Sequence, residues 1–308
     1  MTSKKIHTDL NFQTFDMNWI KDDSFILIIG KRRTGKTVIL LDIIYHKRDF
    51  PIWKCISLTE ELNFTFKNHI PCKYVHNDYD PAIIKRFVDK NKEMKKKKIA
   101  AQRMLKTIQH YNEQGVIQYD LKPEYANMDI RAFLILDDCI AEDQEIRKDP
   151  SLKWLGTNGR HADILCAITT QYPNTLGPLM RGNGDFFFIM AEPRSYYRKQ
   201  IYDSYASVIP TRELFNRLMD KMTQNRGCMV IDNSSNENTL EKLVFCYKAP
   251  LRHEFRVGGE KYEELLWKDN DYNMITQHVK PELRKAKGNN LTHLRNKNIK
   301  YGAIHLEP

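Results

Sequence analysis

The sequence predicts an α/β fold whose central sheet is mainly parallel and is flanked by helices on both faces. Eight short segments are apolar at nearly every position, which is typical of strands that are buried on both sides. Helical patterns lie between several of them, and this alternation favours parallel connections. The predicted strands span residues 25–29, 54–58, 73–76, 133–136, 164–169, 186–190, 228–231 and 243–247.

Three helices are predicted between these strands. Residues 37–46 follow the first strand directly and carry apolar side chains at helical spacing. Residues 81–111 form a long basic helix, and residues 211–222 form a third helix. Thr211 is the predicted N-cap of the third helix, with an acidic residue in its first turn.

Composition limits the class of protein. The chain has 308 residues, and its hydrophobic fraction of 41% is enough to bury a core. Its mean hydropathy is −0.60. No apolar run is long enough to span a membrane and the start lacks a signal-peptide core, so we expect a cytosolic protein without a direct membrane span. Six scattered cysteines and ten scattered histidines lack the paired spacing of a disulfide framework or a zinc site.

Charge points to an acidic partner and is unevenly distributed. The net charge of +10 favours a polyanion such as double-stranded DNA.

We expect a lead-in over residues 1–23, a main domain over 24–250 that contains the basic helical segment 81–112, and an appendage over 251–308. Lysines 95–98 and the basic tail are candidate phosphate contacts, although a solvated helix and a disordered tail explain them equally well. The basic tail residues are Arg284, Lys285, Lys287, Arg295, Lys297 and Lys300.

The segment GKRRTGKT at residues 30–37 matches the phosphate-loop motif GxxxxGK[ST]. It stands between a predicted strand and a predicted helix, where backbone N–H groups and a helix N-terminus can surround phosphates. Lys36 is expected to reach the β- and γ-phosphates of ATP, and Thr37 to coordinate Mg²⁺. The predicted ATP-binding residues are Gly30, Lys31, Arg32, Arg33, Thr34, Gly35, Lys36 and Thr37.

The segment FLILDD at residues 133–138 is an apolar strand that ends in two carboxylates. We expect Asp137 to hold the Mg²⁺ shell and Asp138 to polarise the attacking water. The plainer interpretation is that two aspartates mark an ordinary strand exit. Because a nucleotide kinase has no use for a water-activating carboxylate, the pair favours hydrolysis.

Another buried strand ends at Gln171, which we expect to contact the γ-phosphate or its water, although a simple turn before Pro173 is the alternative. Arg160 precedes this strand and Arg181 follows it. Either arginine could reach the ATP of a neighbouring subunit and stabilise charge on the transferring phosphoryl group. Arg181 is the rival to Arg160 for this role, and the alternative for either is an ordinary surface arginine.

With these motifs in place, the chain resembles the DNA-packaging ATPases of large nucleocytoplasmic DNA viruses, the poxvirus type, in the FtsK–HerA superfamily of P-loop NTPases. The resemblance covers roughly residues 24–250. Cellular members of the superfamily usually carry Glu where this chain has Asp138. The matching segments are GKRRTGKT (30–37), FLILDD (133–138), GRHADILCAITTQYP (159–173), LMRGNGDFFFIM (179–190) and RGCMVID (226–232).

The resemblance implies a RecA/ASCE-like fold and a homo-oligomeric ring, a pentamer or hexamer, in which Arg160 or Arg181 acts in trans. It implies ATP hydrolysis that drives viral DNA into a preformed capsid, with capsid or membrane proteins at the portal as partners. The expected location is the host cytoplasm, at the viral factory, and the virion. Two alternatives stay open: another DNA-dependent ATPase, such as a helicase or segregation pump, and a basic DNA-binding scaffold with a nucleotide switch and negligible turnover.

Overall fold

Eight strands form a single sheet in the computed structural model, which describes residues 11–113, 124–139 and 148–268. All eight predicted strands are present, within a few residues of the predicted bounds. They are β1 (Phe25–Ile29), β2 (Ile52–Ser57), β3 (Val75–His76), β4 (Ala132–Asp137), β5 (Ile164–Thr170), β6 (Phe186–Ile189), β7 (Cys228–Asp232) and β8 (Val244–Tyr247).

The strand order is β3-β2-β4-β5-β1-β6-β7-β8. Strands β1 to β6 pair with one another in parallel. At one side of the sheet, β7 pairs antiparallel with β6, and β8 pairs antiparallel with β7. The predicted mainly parallel sheet is therefore confirmed. Strand β5 lies between β1 and β4. Because parallel strands point the same way, the segments after β1, β4, β5 and β6 meet at one edge of the sheet, which we call the carboxyl edge; the opposite one is the amino edge.

Helices surround the sheet, and three of them were predicted. Thr211 caps its helix as expected, since its hydroxyl accepts a hydrogen bond from the N–H of Leu214. The others escaped prediction because they are short or mostly polar on the surface. The helices are α1 (Lys36–His46), α2 (Glu60–Asn63), α3 (Pro81–Glu113), α4 (Pro150–Asn158), α5 (Pro178–Gly182), α6 (Ser195–Tyr205), α7 (Arg212–Met222) and α8 (Gly259–Trp267).

Two apolar clusters lie on opposite faces of the sheet. The first joins the sheet to α3, α4, α6 and α7, and the second joins it to α1 and α8. Phe15 of the lead-in is buried in the second cluster. So are Phe255 and Leu266, from the segment that was assigned to the appendage. These contacts fix the positions of both covering layers relative to the strand ends.

Helix α3 is longer than the sheet is wide. It starts near the carboxyl edge, after β3, and its 33 residues extend about 50 Å. Its first turns are buried against the sheet through Ile84 and Val88. Beyond Asn91, none of its described side chains is fully buried. Within the described residues no helix is long and apolar enough to cross a membrane, and the basic tail lies outside the described residues.

Candidate active site

Residues 30–35 form a tight loop between β1 and α1 at the carboxyl edge, and the last two residues of the motif, Lys36 and Thr37, begin α1. Gly35 has a φ of 105°, in the left-handed region that favours glycine. A Cβ on Gly30 would lie 2.5 Å from the Cβ of Met190 and 2.7 Å from the hydroxyl oxygen of Thr34. Both glycines are therefore required by the backbone, and the loop leads directly into the N-terminus of α1, the arrangement that binds phosphate.

The side chain of Lys36 is buried beneath this loop, with 6% of it exposed. Its Nζ donates a hydrogen bond to the carbonyl oxygen of Gly30 at 2.9 Å and lies 3.3 Å from Oδ2 of Asp138. In contrast, Lys31 and Arg32 are exposed on the loop. Lys36 thus places one positive charge on the inner side of the loop, where it can reach phosphate oxygens.

Strand β4 ends at Asp137, which has 7% of its surface exposed. Its Oδ1 accepts a hydrogen bond from the hydroxyl of Thr169 at 2.7 Å, and its Oδ2 accepts one from the hydroxyl of Ser57 at 3.0 Å. Burial raises the pKa of Asp137, and the neighbouring Asp138 raises it further against these hydrogen bonds and the Lys36 ammonium. A divalent cation nearby would favour the ionised form.

Asp138 follows the strand with a φ of 48°, a left-handed conformation that Asp tolerates better than most residues. Its N–H donates to the Thr169 hydroxyl at 3.0 Å, and its Oδ2 accepts a hydrogen bond from Nε2 of Gln171 at 3.2 Å. Its Oδ1 is buried and has no hydrogen-bond partner among the described residues. Because an unpaired buried oxygen is costly, this atom suits a bound donor such as water.

Lys36, Asp137, Asp138 and Gln171 therefore meet at one place, as their positions at parallel strand ends predicted. Thr37 lies beside them in the first turn of α1 and is partly exposed. The Thr37 hydroxyl and the Asp137 carboxylate are oxygen donors, the type that Mg²⁺ prefers. The described residues contain no group of three or more His, Cys, Asp or Glu side chains that could hold a metal by themselves. A magnesium ion held by Thr37 and Asp137 would need phosphate oxygens and water to complete its octahedral coordination.

The chain matches no protein-family model. It is 30% identical over 273 residues to "Uncharacterized protein 075L" of Invertebrate iridescent virus 6, with 83% of this chain and 93% of the relative covered. It is also 30% identical over 244 residues to "Uncharacterized protein 088R" of Invertebrate iridescent virus 3, covering 78% and 82%. The chain belongs to the family of these two viral proteins. "Uncharacterized protein L437" of Acanthamoeba polyphaga mimivirus is 28% identical over 258 residues, covering 82% of this chain and 81% of that protein.

Solved structures resemble this chain only distantly. The genome packaging NTPase B204 of Sulfolobus turreted icosahedral virus 2, in complex with AMP, superposes with a TM-score of 0.46 at 12% identity, covering 75% of this chain and all of that one. The pCW3 conjugation coupling protein TcpA superposes with a TM-score of 0.45 at 11% identity, covering 86% and 74%.

Within the described residues, neither predicted arginine forms a hydrogen bond or an ion pair with the phosphate loop of its own chain. Arg160 is exposed in the 3₁₀ helix Gly159–Ala162, which precedes β5 and so lies at the amino edge. Arg181 lies on α5, where its Nη1 donates to Oδ1 of Asn174 at 3.3 Å. A role for either arginine in trans remains a prediction.

Three polar residues at the carboxyl edge were missed by sequence reasoning: Ser57, Thr169 and Glu192. The two hydroxyl residues are fully buried within apolar strands, and such residues must find hydrogen-bond partners. Glu192 is buried after β6; burial raises its pKa, but hydrogen bonds from Arg194 outweigh this and hold the pKa below its usual range. A cavity of about 420 Å³ at this side of the loop is lined by Lys31, Arg32, Gln171, Tyr172, Pro193 and Arg194.

Proposed function

We propose that this chain hydrolyses ATP and uses the energy to move duplex DNA into a preformed viral capsid. The observation that carries the proposal is the convergence of Lys36, Asp138 and Gln171 beneath one phosphate loop. DNA packaging is supported by the motif resemblance across residues 24–250, by the net charge of +10 and by the viral origin of the relatives.

Binding of ATP begins with the loop of residues 30–37. Its backbone N–H groups and the N-terminus of α1 receive the phosphates, and Lys36 exchanges the Gly30 carbonyl for phosphate oxygens. Thr37 and Asp137 are the residues that would hold Mg²⁺. When bound, this ion neutralises charge that develops on the phosphates during transfer.

Hydrolysis depends on the second acid. When Lys36 turns to the phosphates, Asp138 loses its ion pair and becomes the nearest free acceptor for the protons of an attacking water. Gln171, which donates to Asp138, lies where it can orient that water or sense the γ-phosphate. Thr169 holds both acids in place through its single hydroxyl.

The chain would act as a homo-oligomeric ring of five or six subunits. Arg160 is exposed and has no ion pair within the described residues, so its charge is available to the ATP of a neighbour. Capsid or membrane proteins at the portal are the proposed partners. The proposed location is the host cytoplasm, at the viral factory, and the virion.

The test is ATP turnover by the full chain, measured as phosphate release with and without duplex DNA. We expect DNA to raise turnover and the Lys36→Ala variant to abolish it. Lys242→Ala is the matched control, because this exposed lysine pairs with Glu237 on the surface and should behave like the wild type when replaced. Turnover that stays flat across a DNA titration would favour the scaffold with a nucleotide switch.

A further inference from the structure

Three cationic side chains lie near one another at the outer edge of the sheet, beside the edge strand β3. They are Lys54 of β2 and Arg86 and Lys90 of α3, and we call them the basic edge cluster. Lys54 is partly buried, and its Nζ lies 2.9 Å from Nε2 of His76 on β3. Arg86 and Lys90 are exposed above it.

The basic edge cluster lacks the carboxylate partners that neighbouring lysines have. On the same turns of α3, Lys85 pairs with Asp89 at 2.7 Å and Lys92 with the same carboxylate at 3.8 Å. Further along, Lys97 pairs with Glu93 at 2.6 Å. Within the described residues, the three members of the basic edge cluster have no such ion pair. Ion pairs therefore neutralise these neighbouring lysines and leave the basic edge cluster positive. Further along α3, Lys96, Lys98, Arg103 and Lys106 also have no ion pair among the described residues.

Holding this charge together is unfavourable for the isolated protein. Burial lowers the pKa of Lys54, and repulsion by Arg86 and Lys90 lowers it further. Burial lowers the pKa of His76 most, and the charges of Lys54 and Arg86 lower it further, to about 4. The charge of Asp80 acts in the opposite direction. His76 is therefore neutral near neutral pH and accepts a hydrogen bond from the Lys54 ammonium. A bound anion would relieve the repulsion among the three cations.

The arrangement of the three cations is extended. Arg86 and Lys90 are four residues apart, so they lie one above the other along the same side of α3. Lys54 flanks this row from the adjacent strand. A row of cations matches the successive phosphates of a polymer, whereas one small anion could reach only part of it.

We propose that the basic edge cluster binds the phosphate backbone of duplex DNA. This proposal rests on the proposed function and names the surface that the motor uses. Lysine and arginine contacts to phosphates do not depend on base sequence, as a protein that moves along any DNA requires. The cluster lies on β2 and on the first turns of α3, which pack against the sheet, so it would move together with the strands that carry the nucleotide site.

The test compares two double variants of the full chain that remove the same charge from the same turns of α3. Arg86→Gln with Lys90→Gln removes the exposed part of the basic edge cluster, and Lys85→Gln with Lys92→Gln removes lysines that are already paired. Binding to a fluorescent duplex of mixed sequence is measured by anisotropy over a range of salt concentrations. Affinity falls with salt, and we expect the magnitude of the slope of log affinity against log salt to decrease by about two for the first variant, one per lost phosphate contact. The slope should change little for the second variant.

The outcomes separate this inference from the proposed function. Equal losses in both variants, or none in the first, would overturn the assignment of the surface while leaving ATP-driven DNA movement intact. Absence of DNA binding by the wild type would overturn both. ATP turnover without DNA should be unchanged in both variants, which verifies that each folds.

Discussion

The ammonium of Lys36 lies 3.3 Å from Oδ2 of Asp138, although the two residues follow strands that are separated by β5. In the proposed mechanism the ammonium is needed by the phosphates and the carboxylate by the attacking water. Binding of ATP would therefore break this ion pair, and the release of Asp138 would depend on the presence of a triphosphate.

Replacing Asp138 tests this link. Asp138→Asn keeps the shape but removes the base, so turnover should fall about 100-fold or more. ATP binding should persist, because Lys36 loses a competing partner. The measurements are phosphate release and equilibrium binding of a fluorescent ATP analogue.

Asp138→Glu is the matched control, since it keeps a carboxylate at this position. Measurable turnover is expected from this variant. Wild-type turnover in Asp138→Asn would remove Asp138 from the mechanism.

Thr169 provides a second test, because its hydroxyl serves both acids. Thr169→Val leaves Oδ1 of Asp137 and the N–H of Asp138 without this partner, at about 1–3 kcal/mol for each buried group. We expect a lower free energy of unfolding in urea and slower turnover. Thr169→Ser retains the hydroxyl and should stay close to the wild type; a valine variant as stable and active as the wild type would show that the bridge is dispensable.

Much of the fold could be predicted because burial on both sides of a strand leaves a local signature. All five residues of β1 are apolar and buried. A short apolar run of this kind can be predicted as a buried strand without knowing which strands it pairs with. The directions of β7 and β8 could not be predicted. An apolar run is the same in a parallel and an antiparallel pair, and only the path of the connecting chain decides.

The same division applies to the site. Lys36, Asp137 and Gln171 could be placed together because each lies at or after the end of a parallel strand, and those ends meet at one edge. The hydroxyl of Thr169 and the Lys36–Asp138 ion pair could not be predicted, since they depend on side chains from strands far apart in sequence. The N-cap Thr211, in contrast, could be predicted, because its hydrogen-bond partner lies only three residues away in sequence.

His76 makes stability depend on pH. Its pKa is about 4 in the folded chain against 6.5 as the unperturbed value, so the unfolded chain binds the proton more strongly. The stability that the neutral ring contributes is present above pH 6.5 and is lost as the pH falls toward 4. His76→Gln should flatten the fall in unfolding free energy across this window, measured by urea denaturation. His253→Gln, an exposed control, should keep the wild-type profile; an unchanged profile in His76→Gln would contradict the assignment.

The arginines can be assigned by mixing subunits. Arg160→Ala and Lys36→Ala should each abolish turnover, but a mixture should partly restore it, because an intact pocket can then meet an intact arginine from a neighbour. Arg181→Ala mixed with Lys36→Ala tests the rival residue in the same assay. Failure of every Arg160→Ala mixture to regain activity would rule out its action in trans.

The central claim is that residues of three strand ends serve one triphosphate. Its most direct test is a structure of the full chain with Mg²⁺ and a non-hydrolysable ATP analogue. We predict that the phosphates lie against residues 30–37 and that Nζ of Lys36 contacts them instead of Asp138. An analogue bound elsewhere, or a Lys36 that still pairs with Asp138 beside the bound phosphates, would contradict the account.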